Sequence, residues 1–160
     1  MKIIVVGAGK VGYSVAKILS EEGHDITVID RDPETITHLS NELDVICVEG
    51  SATNHETLLG AGAAEDDLLM AATQQDEVNM VCGITARKLG TKHVIARIRD
   101  TEYLRQTEFL REVLGLSITI NPEYECAKEI HHILRFPSAA GATRSWTTAW
   151  ASPGSLTACS

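Results

Sequence analysis

The chain has 160 residues, room for one domain with a sizeable core. Hydrophobic residues make up 44% and aromatics only 4%, which suits a sheet of Val, Ile and Leu beneath Ala-rich helices, while a formal net charge of -8 argues against a nucleic-acid surface. No apolar stretch reaches the ~20 residues of a membrane span, and the first apolar run follows Met1-Lys2 with no signal peptide before it, so the cytoplasm is the expected location.

Short runs rich in β-branched residues predict strands at 2–6, 25–30, 45–48, 68–71, 93–98 and 117–120. Between them, helices are expected at 10–22, 33–41, 54–61, 76–89, 101–113 and 122–135. The first helix carries Val11, Val15, Ile18 and Leu19 on one face and stops at Gly23. Asp32-Pro33-Glu34 and Asn121-Pro122-Glu123 place a proline in a first helical turn, and Thr53-Asn54-His55-Glu56 reads as a capping arrangement. Strands separated by helices throughout require right-handed crossovers. The expected fold class is therefore α/β: a Rossmann-like, doubly wound, six-stranded parallel sheet in the order 3-2-1-4-5-6, with helices on both faces.

The first strand runs straight into Gly7-Ala8-Gly9-Lys10-Val11-Gly12, and Asp30 closes the second, Ile26-Thr27-Val28-Ile29. A strand, a Gly-x-Gly-x-x-Gly turn, an amphipathic helix and an acid ~20 residues on together form the dinucleotide fingerprint. Gly7 permits the turn, Gly9 lets backbone approach a pyrophosphate, and Gly12 lets helix and strand pack closely. Phosphate would sit at the helix N-terminus, with the Lys10 charge nearby. Asp30 can accept from both ribose hydroxyls and would repel a 2′-phosphate, which favours NAD or an adenosine nucleotide over NADP, a preference softened by Arg31.

Such sheets bind ligands outside the carboxyl ends of their strands, between strands 1 and 4. At those ends stand Gly50-Ser51-Ala52-Thr53, small residues beside which an adenine could lie, and the polar loop Ala71-Ala72-Thr73-Gln74-Gln75-Asp76-Glu77-Val78-Asn79. Thr73, Asp76 and Asn79 suit either the ligand or the N-terminus of the following helix. Arg97 and Arg99 project to the same side of a strand, and Arg97 is the candidate for a phosphate. Glu65-Asp66-Asp67 reads as a solvated turn, the histidines as surface residues, and Cys47, Cys82 and Cys126 as small core residues without metal-ligand spacing. No His, Lys or Tyr pairing forms an acid–base couple, so the cofactor domain of an NAD-dependent dehydrogenase ranks second to a non-enzymatic role, and a nucleotide-independent interaction module third.

Gly7-x-Gly9-x-x-Gly12, Val28-Ile29-Asp30, Gly50-Ser51-Ala52, Ala72-Thr73-x-x-Asp76-Glu77-x-Asn79 and Ile95-Ala96-Arg97, followed by Asn121-Pro122-Glu123 and Ile133-Leu134-Arg135-Phe136-Pro137, resemble the N-terminal domain of TrkA proteins. These are the peripheral regulatory subunits of Trk/Ktr potassium uptake systems and belong to the RCK (regulator of potassium conductance) group. The resemblance implies regulation without catalysis: NAD(H) or ATP/ADP in the cleft, dimers that build rings, and a TrkH-, TrkG- or KtrB-like membrane subunit that translocates potassium. By matching position it assigns Gly7, Ala8, Gly9, Lys10 and Val11 to the phosphates, Asp30 to the ribose, Thr53 to the adenosine side, Thr73 and Gln74 to the cleft wall and Arg97 to the phosphates. Lys10 would face the terminal phosphate of ATP, and Glu123 matches a carboxylate that helps bind a divalent cation. Ser51 stands where many relatives have Asp. The nucleotide-binding domain is expected over 1–137; the stretch 138–160, rich in Ser, Thr, Ala and Gly, is expected to be a disordered or non-native tail, with the regulatory C-terminal lobe of the family missing.

Overall fold

β1 (Lys2–Val6) buries Ile4 and Val6 in one apolar cluster and Ile3 and Val5 in another, as the two-residue period of a strand dictates. A strand covered on both faces belongs in the interior of a sheet. In the computed structural model, which describes residues 1–135, β1 pairs in parallel with β2 (Asp25–Asp30) on one side and β4 (Leu68–Ala71) on the other. With β3 (Ile46–Glu49), β5 (His93–Arg97) and β6 (Ile118–Ile120) they form a six-stranded parallel sheet in the order β3-β2-β1-β4-β5-β6. The expected class and strand order are both present.

The helices cover both faces. α1 (Lys10–Glu21) and α2 (Pro33–Glu42) place Ala16 and Leu39 in the cluster with Ile3, Val5 and Val28. α3 (His55–Gly60) and α4 (Asp76–Leu89) place Leu58, Cys82 and Ala86 in the cluster with Ile4, Leu69 and Val94. This first unit spans Met1–Asn121, and α7 (Pro122–Arg135) belongs to the second. The expected tail at 138–160, and Phe136-Pro137, lie outside the described residues.

Several expectations need correction. The helix expected at 101–113 is two, α5 (Thr101–Arg105) and α6 (Thr107–Leu114), because Gln106 leaves helical geometry at φ -116 and ψ 24 and the Thr107 hydroxyl takes the Leu104 carbonyl at 2.8 Å. Ile18 is 54% exposed: the face of α1 against the sheet is formed by Gly12 and Ala16, with Val15 and Leu19 beside them. Cys126 is exposed on α7. β5 stops at Arg97, so Arg99 lies beyond the strand instead of beside Arg97 on one face of it.

Asp66 departs from a solvated turn: it is buried, and its Oδ2 has no hydrogen-bond partner. Burial pushes the carboxyl from 3.8 up to about 6; Lys2 opposes the shift, while Asp67 and Glu65 add to it. The folded chain thus holds this proton more tightly than the unfolded chain. The resulting stability is complete below about pH 4 and disappears as pH rises through about 6. Asp66→Asn cannot ionise. Urea denaturation should find it more stable than the parent by roughly 1–2 kcal/mol near neutral pH, with little gain near pH 4.

Gly12 fixes the spacing of α1 from the sheet. A Cβ there would lie 1.8 Å from the Gly7 carbonyl oxygen and 3.4 Å from Val5 Cγ1. Alanine would gain about 1 kcal/mol of helix propensity, but relieving such a clash requires moving backbone, at about 3 kcal/mol or more. Gly12→Ala is therefore expected to lower the thermal midpoint by several degrees, read by circular dichroism.

Candidate functional site

β1 and β4 lie side by side, and the chain leaves them toward opposite faces: α1 after β1, α4 after β4. A gap opens between the outgoing loops. It forms a cleft of about 440 Å³ lined by Val6, Gly7, Gly9, Ile29, Asp30, Arg31, Asp32, Thr35, Gly50, Ala52, Ala72, Thr73, Gln74, Gln75 and Val78. That volume lies within the range of small-molecule sites.

The floor is the glycine turn. Gly7 adopts φ +90, and a Cβ on it would meet Thr73 N at 3.0 Å, so two constraints hold glycine there. Gly9 caps the N-terminus of α1 without a side-chain hydrogen bond, and the first turn carries no acid. The other helices of the first unit that follow a cleft-side loop differ. Asp32, Asn54 and Asp100 cap α2, α3 and α5 through their side chains, and α4 starts with Asp76 and Glu77. An extra Cβ at Gly9 meets nothing within 4 Å, so the protein's own packing does not demand glycine at this point of the cleft wall. The open space and the uncapped helix dipole are what an anionic group requires.

Asp30, at the end of β2, ties the turn to the neighbouring strand. Its Oδ2 accepts from Ala8 N at 2.6 Å and its Oδ1 from Asp32 N at 3.0 Å. A carboxylate offers about four lone-pair sites, so these bonds fix its orientation and leave capacity for hydroxyl donors. Asp32 accepts from Glu34 N and Thr35 N at 3.3 Å and from the Thr35 hydroxyl. The Thr35 hydroxyl, helped by the two backbone donors, holds its carboxyl below the usual range against an opposing desolvation effect.

The opposite wall is the loop after β4. Thr73 lines it, accepting Gln75 N at 3.3 Å through its hydroxyl. Arg97 is buried behind this wall, with Nη1 donating to Thr73 O at 3.4 Å, and the Arg99 guanidinium donates to Gln74 O. Asp76 is buried, its Oδ2 accepting Arg99 N at 2.8 Å and Asp100 N at 2.7 Å.

Of the residues assigned from sequence, Gly7, Gly9, Asp30, Arg31, Ala52, Thr73 and Gln74 line the cleft. Ala8 reaches it only through its bond to Asp30, and Gly12 packs beneath the turn. Lys10 is exposed and Val11 half-buried in the first turn of α1. Ser51 and Thr53 share a hydroxyl–hydroxyl bond of 2.8 Å. Asp76, Asn79 and Arg97 stand behind the lining. Glu123 is exposed on α7, and among the described residues no three His, Cys, Asp or Glu side chains cluster as metal ligands. Asp32 and Thr35 were missed. Their signal was the Asp30-x-Asp32 spacing, read only as a helix start.

Asp30, Arg31 and Asp32 are the ionisable side chains of the lining, so its chemistry is acceptance by carboxylates and donation by a guanidinium and backbone amides. Among the described residues no helix is long and apolar enough to cross a membrane.

The TrkA-N domain family matches residues 3–122. The Trk system potassium uptake protein TrkA homolog of Archaeoglobus fulgidus is 36% identical over 139 residues, covering 87% of this chain and 31% of that protein. The TrkA of Haemophilus influenzae is 39% identical over 142 residues, with 87% and 31% covered. The chain thus spans about a third of the length of these relatives. Among solved structures, the TrkA-N domain of the inner membrane protein ybaL from Escherichia coli superimposes with a TM-score of 0.73 at 22% identity, covering 83% of this chain and 96% of that one. The GsuK channel bound to NAD gives 0.64 at 22%, covering 74% and 21%. The Kef C-terminal domain of Shewanella denitrificans in its AMP-bound form gives 0.69 at 20%, covering 92% and 88%. Likenesses at this identity establish the fold.

Gly9→Ala separates binding from folding. With nothing within 4 Å of the new Cβ, urea denaturation should register a change of about 0.5 kcal/mol or less. Calorimetry should find adenine-nucleotide affinity at least about ten-fold weaker, the cost of one displaced charge-assisted contact.

Proposed function

Because this chain belongs to the TrkA-N domain family, we propose that it is the nucleotide-binding module of a cytoplasmic regulatory subunit of a potassium uptake system. The observation that carries the reading is the cleft between β1 and β4, where the uncapped N-terminus of α1 faces Asp30 across the glycine turn. The nucleotide is NAD(H) or ATP/ADP. Its diphosphate lies over Gly7, Gly9 and the first turn of α1, with Lys10 at hand, and its ribose hydroxyls donate to Asp30. Its adenine lies toward Gly50 and Ala52. The relatives' description as Trk potassium uptake proteins and the NAD and AMP held by structural neighbours support this reading.

Binding becomes regulation when the ligand has different affinity for two states of an assembly. In this proposal the module works as a homo-oligomer, a dimer that can build a ring, docked on the cytoplasmic face of a membrane subunit that translocates potassium. One member of the NADH/NAD or ATP/ADP pair favours one arrangement, so that uptake follows redox or energy state. The module itself performs no catalysis.

Calorimetric titration of the chain with NADH, NAD, ATP, ADP and NADPH tests the first half of this. One pair should bind saturably. NADPH should bind about ten-fold more weakly than NADH, because its 2′-phosphate meets the Asp30 carboxylate. Asp30→Ala should weaken the preferred nucleotide by about 10- to 100-fold, the range for a hydrogen bond to a charged group. Failure of all five to bind would defeat the reading.

A further inference from the structure

Asn79, on the first turn of α4, has no solvent exposure. Burying an amide is costly unless it is satisfied, and this one is satisfied to capacity. Its Oδ1 accepts from Thr73 N at 2.9 Å and from the Thr73 hydroxyl at 2.7 Å. Its Nδ2 donates to Thr73 O at 3.2 Å and to Arg97 O at 2.8 Å. A carboxamide has two acceptor lone pairs and two N–H donors, so none remains for a ligand. The orientation is fixed as well, because a backbone N–H faces one end and two carbonyls face the other.

Three of the four bonds end on a wall of the cleft and the fourth just behind it. Three hold Thr73, which lines it and stands so close to the glycine turn that a Cβ on Gly7 would touch its nitrogen. The fourth holds the last residue of β5. Asp76, three residues earlier on the same face of α4, holds the continuation of that strand through Arg99 N and Asp100 N. The start of α4 thus clamps the outgoing ends of β4 and β5 together.

We propose that Asn79 is a positioning residue. It never touches the nucleotide, but by fixing Thr73 against the glycine turn it sets how tightly the diphosphate is held and leaves the adenosine end unaffected. The inference rests on the nucleotide reading of the cleft. Without the carboxamide, the half-buried Thr73 N–H and the buried Arg97 carbonyl lose their partner, and the backbone at 73–75 must move to satisfy them.

The test compares adenosine with ADP on the 160-residue chain and on Asn79→Asp, which keeps the acceptor for Thr73 N but turns an oxygen toward the two carbonyls. Calorimetry, with adenosine taken to millimolar concentrations, should show ADP about ten-fold weaker in the variant and adenosine changed less than about two-fold, with the circular dichroism spectrum preserved. Equal weakening of both ligands, or unchanged ADP affinity, would overturn the proposal. A wild-type chain that binds neither would defeat the nucleotide reading itself and this inference with it. A second measurement needs no variant, should Asn79→Asp fail to fold. The side-chain amide protons of wild-type Asn79 should exchange slowly both before and after saturation with ADP. Their release or reorganisation on binding would mean direct contact and would contradict a positioning role.

Discussion

A parallel sheet whose strand order reverses at its centre cannot close over its own switch point. β1 is followed by a helix on one face and β4 by a helix on the other, so the loops leaving two adjacent strands diverge and a cleft is unavoidable. The protein's functional features depend on keeping that cleft open and correctly lined. Both walls must rest on backbone held by buried hydrogen bonds, because a loop that could collapse inward would fill the space.

Each wall solves this differently. On the β1 side, Gly12 lets α1 approach until almost no room is left above the Gly7 carbonyl, and Asp30 pins Ala8 from the neighbouring strand. On the β4 side there is no glycine motif, and polar side chains bind the loop together. Asn79 is spent wholly on protein partners, Asp76 holds two backbone N–H groups through one carboxylate oxygen, and Arg97 and Arg99 reach carbonyls of the same loop. Among the described residues, the one helix N-terminus that no side chain or first-turn acid serves is thereby left facing open space, which favours an anion electrostatically.

Much of this was legible in the sequence because the signals were local. The apolar runs, Pro33 and Pro122 at helix starts, and the spacing from Gly7 to Asp30 gave the strand order and one wall of the cleft. What stayed hidden depended on tertiary contacts. Asp76 and Asn79 look like ligand or cap residues in one dimension. Only the arrival of residues 97–100 beside α4 shows that Asn79 is filled by protein partners and that Asp76 holds the backbone of Arg99 and Asp100. Ile18 suited an amphipathic face whose position was decided instead by the smaller Gly12 and Ala16. Asp66 sat in an acidic triplet that composition could only read as solvated, yet the fold buries the middle member. Asp32 was masked by its own success as a cap, since a residue that explains a helix start draws no further attention.

In the proposed function, the open N-terminus of α1 holds the phosphates of an adenine nucleotide while Asp30 holds its ribose. Backbone amide resonances of the isotope-labelled chain, followed through a titration with NAD and with ADP, test it most directly. The largest shifts should fall on Gly9, Lys10, Val11 and Gly12, with a second group at Asp30 to Asp32 and a smaller response at Thr73. Shifts centred on another face, or a glycine turn unmoved at saturation, would contradict it.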